Sequence, residues 1–330
     1  MQTRKLILTL IFCLTLILPL HGKEFAPVGT AVAQFLEIGV GARAVGMGEA
    51  YTVVASDASA AFWNPAGLTD AGARNLFSSY SSWPAGISFA GLAYSMKLGQ
   101  MGTFAVSGIY LMTDDMEVTT IAAPEGTGEM FNLTNYAVGL SFARFLTDRV
   151  SVGVTTKLVH EDYFGYGYST WALDLGTVYR TNFHGLRLGM SIQHFAPEVK
   201  FDGDFIDYSD PLSVDANKPK EFETYSLPMN FRFGVSFNAL NSARQQLLVA
   251  ADMIHPNNNL EQYNIGVEYS FNQMFHLRGG YKLNADEGGL TFGGGAQVGL
   301  GAGLKLACDY AYADLGLLQS AHRVSLSVTF

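Results

Sequence analysis

Cysteine and charge are both scarce in this sequence, and each shortage excludes whole classes of protein. Two cysteines in 330 residues cannot form a disulfide framework, and no cysteine or histidine spacing resembles a zinc site. Charged residues make up 15% of the chain, whereas ordinary soluble domains carry roughly 25%. Because hydrophobic residues make up 48%, the composition also excludes a disordered chain.

Basic residues are the scarcer of the two charge signs. The 20 lysines and arginines are outnumbered by 29 aspartates and glutamates, and they are scattered singly. Without a basic patch to neutralise phosphates, we expect no nucleic-acid binding. We also expect no metal and no cofactor. The acidic stretch at Asp114, Asp115 and Glu117 lacks the alternating ligands and the turn glycine of a calcium loop.

Long apolar runs are absent except at the N-terminus. Arg4 and Lys5 precede an apolar run over 6–20, and Gly22 is a small residue at an expected cleavage point. The run is shorter than the ~20 residues that a membrane-spanning helix needs. We therefore predict that residues 1–22 are a cleaved signal peptide. No later run is long enough for a transmembrane helix.

The chain has, in place of such runs, apolar residues at every second position. The pattern is clear from Met229 to Phe237 and recurs over 263–272, 275–284 and 304–313. A period of two places the apolar side chains on one face of a strand. These runs are about 9 to 12 residues long, close to the ~9 to 11 that cross a bilayer at a tilt. Charged residues fall on the other face, as a barrel lumen allows: Arg232, Glu268, Arg278, Lys282, Lys305 and Asp309.

Counting these segments favours an outer-membrane barrel over a soluble β-sandwich. Fourteen strands are predicted, at 74–82, 87–97, 102–112, 131–144, 150–161, 169–180, 186–195, 229–239, 245–254, 261–272, 274–284, 289–299, 303–313 and 320–330. Their number is even, and long connections such as 113–130, 162–169 and 196–228 alternate with short ones. The predicted fold is therefore an all-β, fourteen-stranded antiparallel transmembrane barrel over 74–330. We expect it in the outer membrane of a Gram-negative-type bacterium, surrounded by lipid, with both termini in the periplasm.

The last predicted strand ends in an aromatic residue. Val324, Leu326, Val328 and Phe330 alternate with polar residues. Such a closing strand resembles the signal recognised by the barrel assembly machinery, which we therefore expect as a partner. The terminal strand of a soluble sheet is the alternative interpretation.

The stretch before the first strand has a different composition. Residues 29–73 are rich in glycine and alanine and show no sustained alternation. The four glycines between positions 39 and 48 fit neither the dinucleotide-binding spacing nor the P-loop. Small residues favour close packing against a barrel wall. We therefore predict that residues 23–73 form a hatch inside the lumen.

Part of this stretch resembles a known family. GARAVGMGEAYTVVASDASAAFWNPAGL, over 41–68, is similar to the N-terminal signature of the PorV/PorQ-like branch of the FadL/TodX outer-membrane family. The matching residues are Gly41, Ala42, Arg43, Gly46, Gly48, Asp57, Asn64, Pro65, Ala66 and Gly67. The resemblance implies a fourteen-stranded barrel whose N-terminal segment is a hatch. Glu49 departs from the family pattern, which has a second small residue there.

The resemblance implies two functions. PorV-type members act in type 9 secretion, as carriers between the translocon and the surface attachment machinery. FadL-type members pass hydrophobic molecules, such as long-chain fatty acids, through the hatch. Because the motif has the PorV/PorQ form, we expect a carrier or accessory protein whose partners are a secretion translocon and exported proteins. Passive transport of a hydrophobic small molecule is the alternative.

Each function predicts its own contact residues. For secretion, the longest loop offers aromatic side chains among aspartates as partner contacts: Phe201, Phe205, Tyr208, Phe222 and Tyr225. A loop that merely caps the barrel is the alternative. For transport, an apolar groove would use two groups near the rims: Ile109, Leu111 and Met112, and Tyr163, Phe164, Tyr166 and Tyr168. An aromatic girdle at the membrane interface explains these tyrosines equally well.

An enzymatic function is not expected. The one candidate cluster, His160, Glu161 and Asp162 at a strand end, is better explained as solvated charge at the rim than as a catalytic group.

Overall fold

The computed structural model describes residues 28–120, 122–206, 218–285, 288–301 and 303–330. The predicted signal peptide lies outside these residues. Fourteen long strands form a closed antiparallel barrel, which confirms the predicted fold class. In chain order they are β1 (Arg74–Trp83), β2 (Ile87–Lys97), β3 (Thr103–Thr113), β4 (Thr134–Phe145), β5 (Val150–Tyr163), β6 (Tyr166–Arg180), β7 (Arg187–Phe195), β8 (Asn230–Asn241), β9 (Gln245–Pro256), β10 (Gln262–Phe271), β11 (Phe275–Leu283), β12 (Leu290–Gly301), β13 (Leu304–Asp314) and β14 (Ser320–Thr329).

Each strand pairs with its neighbours in sequence, and β1 closes the barrel against β14, where Asn75 lies opposite Thr329. The backbones of Arg74 and Phe330 bond to each other at one end of the barrel, which we call the terminal end. The opposite end, the loop end, carries the long connections over 114–133 and 196–229. Two small ribbons lie within these connections. One pairs Met116–Glu117 with Met130–Phe131, and the other pairs Asp204–Ile206 with Pro219–Glu221.

One predicted long connection is wrong. In place of a loop over 162–169, β5 and β6 remain paired as far as Tyr163 and Tyr166. Only Phe164 and Gly165 form the turn, with φ values of 56° and 85°. Two central residues with positive φ are typical of the type I′ hairpin, whose twist matches the flanking strands. The tyrosines extend the strands because aromatic residues favour paired, half-buried β structure.

Burial alternates along the strands as the sequence pattern predicts. In β3, Ala105, Ser107 and Ile109 face the interior, whereas Val106 and Tyr110 are exposed on the outer surface. The charged strand residues Arg232, Glu268, Arg278 and Asp309 are buried in the interior. The exterior of the barrel is therefore apolar, whereas its inner wall carries the charged residues together with small and apolar ones. None of the helices in the described ranges has the length and apolar character needed to span a membrane.

Residues 31–72 fill the interior, and we call them the lumenal segment. It contains short helical turns over Gln34–Glu37, Ala42–Gly46, Ala60–Trp63 and Pro65–Asp70. Its backbone lies directly against glycines of the wall. Gly48 has a φ of 63°, and a Cβ on Gly280 would overlap the Gly48 amide nitrogen. The limits 23–73 and the action of a hatch stay predictions.

Candidate functional site in the barrel lumen

Three acidic residues of the wall hold the lumenal segment. Asp252 on β9 accepts hydrogen bonds from the amides of Tyr51 and Thr52, both at 2.9 Å, and from Thr52 Oγ1 at 2.6 Å. Glu161 on β5 accepts one from the Ala33 amide at 2.8 Å. Glu268 on β10 pairs with Arg43. Each carboxylate satisfies polar groups of the segment that have no partner in a regular element.

The strongest of these contacts is an ionic chain between the segment and the wall. Arg43 Nη2 lies 2.8 Å from Glu268 Oε1, and the second Glu268 oxygen lies 2.6 Å from Arg278 Nε. Arg278 Nη1 continues the chain to Asp309 Oδ1 at 2.6 Å. Except for the partly accessible Arg43, these groups are buried. Removing one member would therefore leave uncompensated charge in the interior.

The predicted motif residues at 64–67 form the turn that ends the lumenal segment. Asn64 Nδ2 donates to the carbonyls of Thr52 at 3.0 Å and Thr177 at 3.1 Å. Its Oδ1 accepts from the Ala66 amide and caps the helical turn that Pro65 begins. A Cβ on Gly67 would meet the Ala55 carbonyl oxygen at 2.5 Å, so glycine is needed for close packing there.

The other motif residues also lie in the segment. Gly41 has a φ of 97°, and the Ala42 amide donates to Ser325 Oγ at 3.1 Å. Gly46 packs against Gly293 of β12, and Asp57 accepts a hydrogen bond from the Ser59 amide at 3.0 Å.

Stacked side chains block the centre of the lumen. The rings of Tyr51 and Trp63 meet edge to face, with centroids 5.7 Å apart. The Arg43 guanidinium lies 5.7 Å from the Tyr51 centroid, and Arg232 of β8 lies 5.1 Å from the Trp63 centroid. Trp63 Nε1 donates to the Val40 carbonyl at 2.9 Å. Arg232 therefore links the wall to the stack through a cation–π contact, whereas Arg43 belongs to the lumenal segment itself and extends the stack beside Tyr51.

An apolar cluster lies on the loop-end side of this stack. Phe35, Leu36 and Val40 of the lumenal segment pack with Ile109 and Leu111 of the wall. Ile109 and Leu111 thus lie together as the transport alternative predicts, whereas Met112 points outward and is exposed.

The aromatic residues predicted for the two alternatives meet in one place. Phe201 is central, with its ring centroid 5.9 Å from Tyr163, 5.1 Å from Tyr168, 5.6 Å from Phe222 and 6.4 Å from Tyr225. The cluster extends through further ring pairs of Phe222, with Tyr166 at 5.3 Å and Phe205 at 4.9 Å. Phe164 packs on Phe131 instead, and Tyr208 lies outside the described residues.

Cavities lie on both sides of the stack. The one next to the apolar cluster has a volume of about 40 Å³ and is lined by Val40, Phe62, Trp63 and Ile109, among others. Towards the terminal end there are larger polar spaces of about 360 Å³ and 200 Å³, both bordered by Arg43 and Ser56. The lumen is thus closed at its centre, between an apolar side and a polar side.

A β-bulge brings further polar groups into the lumen. The register of β6 and β7 shifts between Leu173 and Leu175, and His194 has a φ of 60°. Asp174 accepts a hydrogen bond from the His194 amide at 2.8 Å and pairs with Lys157 at 2.8 Å. Sequence reasoning missed these residues, as well as Asp252. Around Asp174 and Asp252, apolar residues at consecutive positions hide the alternation.

Glu49, which departs from the family pattern, has a charged partner here. Lys282 Nζ lies 2.7 Å from Glu49 Oε1. Burial alone would raise the pKa of the Glu49 carboxyl, but Lys282, together with Arg232 and Arg323, holds the pKa below its ordinary value of 4.5. A carboxyl whose pKa is lowered by folding stabilises the folded state fully at a pH above its ordinary pKa. That stabilisation is lost as the pH falls through the lowered pKa of the folded state.

We therefore expect the lumenal segment to stay docked from about pH 8 to pH 5 and to loosen below about pH 4. Hydrogen exchange of residues 41–68 across this range measures the effect. In Glu49→Gln, the increase in hydrogen exchange at low pH should be absent. Exchange of residues 41–68 should already be faster than in the wild type at pH 7. An unchanged acid profile in this variant would contradict the assignment.

Comparison with known proteins gives similarity in structure only. No protein-family model matches the sequence, and no curated protein matches it. Among solved structures, the monoaromatic hydrocarbon channel CymD is 14% identical with a TM-score of 0.56, over 88% of this chain and 96% of that chain. The toluene transporter TbuX of Ralstonia pickettii is 14% identical with a TM-score of 0.57, over 88% and 97%.

A FadL homologue of Pseudomonas aeruginosa is 12% identical with a TM-score of 0.51, over 88% of this chain and 97% of that chain. At these identities the similarity establishes a shared fold, that of the FadL/TodX outer-membrane channels. The narrower PorV/PorQ resemblance stays a prediction from the N-terminal motif.

Proposed function

We propose that this protein is an outer-membrane channel for passive transport of hydrophobic molecules, with the lumenal segment as its hatch. The observation that carries the proposal is the apolar cluster of Phe35, Leu36, Val40, Ile109 and Leu111, which leads from the loop end to the closed centre of the lumen. The similarity in fold to structures titled as hydrocarbon channels and toluene transporters supports it.

Transport then requires movement of the lumenal segment. The cavity of about 40 Å³ beside Trp63 is far smaller than the roughly 150 Å³ cavity that is known to bind benzene. A hydrophobic molecule that leaves water for the aromatic cluster around Phe201 gains the free energy of apolar burial. It passes the centre only when the stack of Tyr51 and Trp63 separates from the wall. A concentration gradient is the only driving force needed.

The membrane orientation belongs to the same proposal. The loop end faces outward, and the terminal end, with its short turns, faces the periplasm, as in other outer-membrane barrels. The closing strand with Val324, Leu326, Val328 and Phe330 is the segment that the assembly machinery would recognise.

The role in type 9 secretion that the sequence motif predicts has less support than passive transport of hydrophobic molecules. The similar structures are named as channels and transporters of hydrophobic compounds. Moreover, Phe201, Phe205, Phe222 and Tyr225, the described residues predicted to bind exported proteins, are half-buried and pack on one another and on the wall.

Uptake by intact cells tests the proposal. We expect a Gram-negative host without its own hydrophobic-compound channel to take up radiolabelled toluene or oleate several-fold faster when it expresses this protein. A host that expresses an unrelated closed barrel at the same level is the control. Equal uptake in both hosts would contradict the proposal. Copurification of a secretion translocon with the tagged protein, together with equal uptake, would favour the carrier function.

A further inference from the structure

Four exposed basic residues lie near one another at the terminal end of the barrel, and we call them the basic arc. Arg74 is in β1, Lys97 in β2, Arg144 in β4, and Arg149 in the turn between β4 and β5. These elements follow one another around the barrel wall. None of the four side chains forms an ion pair with a carboxylate within the described residues. The arc is therefore a surface of unpaired positive charge.

The two strand arginines of the arc lie on the outer face of the barrel. Arg74 shares the outer face of β1 with the exposed Leu76, and Arg144 shares the outer face of β4 with the exposed Leu140. Each arginine lies nearer the terminal end than the apolar residue of its strand. Their guanidinium groups are therefore at the level where the apolar exterior ends, which in a membrane is the level of the lipid headgroups.

Apolar side chains lie on the same outer face between the two arginines. The register of adjacent strands places Arg74 in one row with Met96, Phe104 and Phe142. Arg144 follows two residues after Phe142, so three strand spacings separate the arginines, or about 14 Å at roughly 4.8 Å each. The arc thus combines separate cationic groups with hydrocarbon between them. This arrangement complements phospholipids that lie side by side, with their phosphates on the arginines and their acyl chains on the apolar row.

The charge at the loop end of the same strands has the opposite sign. The connection over 114–133 contains no lysine or arginine and exposes five carboxylates: Asp114, Asp115, Glu117, Glu125 and Glu129. At the terminal end on the other side of the barrel, the outer faces of β11 and β12 end in the exposed apolar residues Phe275 and Leu300. Positive charge on the lipid-facing surface is therefore concentrated at one arc of one end.

We propose that the basic arc binds the phosphate groups of anionic phospholipids in the membrane leaflet at the terminal end. A guanidinium donates two parallel hydrogen bonds to a phosphate, and each basic residue near an anionic membrane surface strengthens binding by roughly fivefold. Phosphatidylglycerol carries a net negative charge, whereas the ammonium group of phosphatidylethanolamine balances its phosphate. The inference goes beyond the proposed transport function and requires only that the barrel spans a membrane.

Lipid retention by the intact barrel tests this site. The full-length protein is reconstituted in bilayers of phosphatidylglycerol with an excess of phosphatidylethanolamine, and the lipids that stay bound after detergent extraction are measured by native mass spectrometry. We expect the wild type to retain phosphatidylglycerol in preference to phosphatidylethanolamine. Arg74→Gln combined with Arg144→Gln should lower this preference at least tenfold. Arg74→Lys combined with Arg144→Lys keeps both charges and should lower it less than threefold.

Arg244→Gln combined with Lys305→Gln is the matched control, because it removes the same charge from the same end of the barrel. Arg244 lies in the turn between β8 and β9, and Lys305 lines the polar space of about 360 Å³ inside the barrel. Neither residue is on the outer face of β1 to β5. The preference of this variant for phosphatidylglycerol should stay within twofold of the wild type.

Four results would overturn the proposal. They are equal retention of the two phospholipids by the wild type, an equal loss of preference in the control variant, displacement of the bound lipid by inorganic phosphate, and stronger retention of lipopolysaccharide than of phosphatidylglycerol. Displacement by phosphate would indicate a site for free anions only, and retention of lipopolysaccharide would indicate contact with the opposite leaflet.

Discussion

Glu268→Gln is expected to release the lumenal segment from the barrel wall. The variant removes the shared carboxylate between Arg43 and Arg278, which lie 2.8 Å and 2.6 Å from its oxygens. Removing one partner of a buried ion pair destabilises a folded protein by about 3–5 kcal/mol, because the remaining charge stays buried without a partner. We expect the barrel to fold while conductance across a planar bilayer rises from near zero to that of an open pore.

Glu261→Gln is the control for this variant. Glu261 pairs with His255 at 3.0 Å, but both side chains are well exposed, and surface pairs contribute about 0–1 kcal/mol. Its conductance should equal that of the wild type. A closed Glu268→Gln barrel with full protection of residues 41–68 from proteolysis would show that the ionic chain does not hold the segment.

Gly280→Val is expected to open the lumen by a steric route. A Cβ at this position would overlap backbone atoms of Met47 and Gly48, and backbone atoms cannot rotate away as a flexible side chain can. Overpacking typically costs about 1–3 kcal/mol and occasionally more, and a backbone clash lies at the upper end. We expect detachment of the segment near Gly48, measured as raised conductance and as cleavage within residues 41–55 by added protease.

Gly279→Val is the control for Gly280→Val. A Cβ on Gly279 would have no atom within 4 Å, because that residue faces the outside of the barrel. Gly279→Val adds the same volume to the same strand, so it should leave conductance and protease resistance unchanged. Equal effects of the two substitutions would mean that strand propensity, and not contact with the lumenal segment, controls opening.

Period-two patterning made the barrel predictable. Because each strand turns one face to the exterior and the other to the interior, apolar and polar residues alternate in the sequence. The number of such alternating segments gives the number of strands. The connection over 162–169 is shorter than the sequence predicts, because Tyr163 and Tyr166 continue the pairing up to a two-residue turn at Phe164 and Gly165. A run of tyrosine and glycine is compatible with a loop as well as with strand ends, so local composition did not decide it.

The candidate site was less predictable because its contacts join residues far apart in the chain. Asp252 meets Tyr51 and Thr52 across about 200 residues of separation, and no local pattern records such pairing. Arg232 lies on the polar face of its strand, as its alternation predicts. Its position over the Trp63 ring follows only from the packing of the lumenal segment.

A reversible lock tests most directly whether transport depends on movement of the lumenal segment. A Cβ on Gly91 would lie 2.6 Å from Val40 Cγ1, so Val40→Cys and Gly91→Cys place two sulfurs within reach of a disulfide. Cys308→Ser removes the exposed thiol. The measurement is uptake of labelled toluene by cells that express this variant, before and after reduction. We expect uptake near background while the disulfide is intact and several-fold recovery after its reduction. Equal uptake in both states would contradict movement of the lumenal segment as a step of transport.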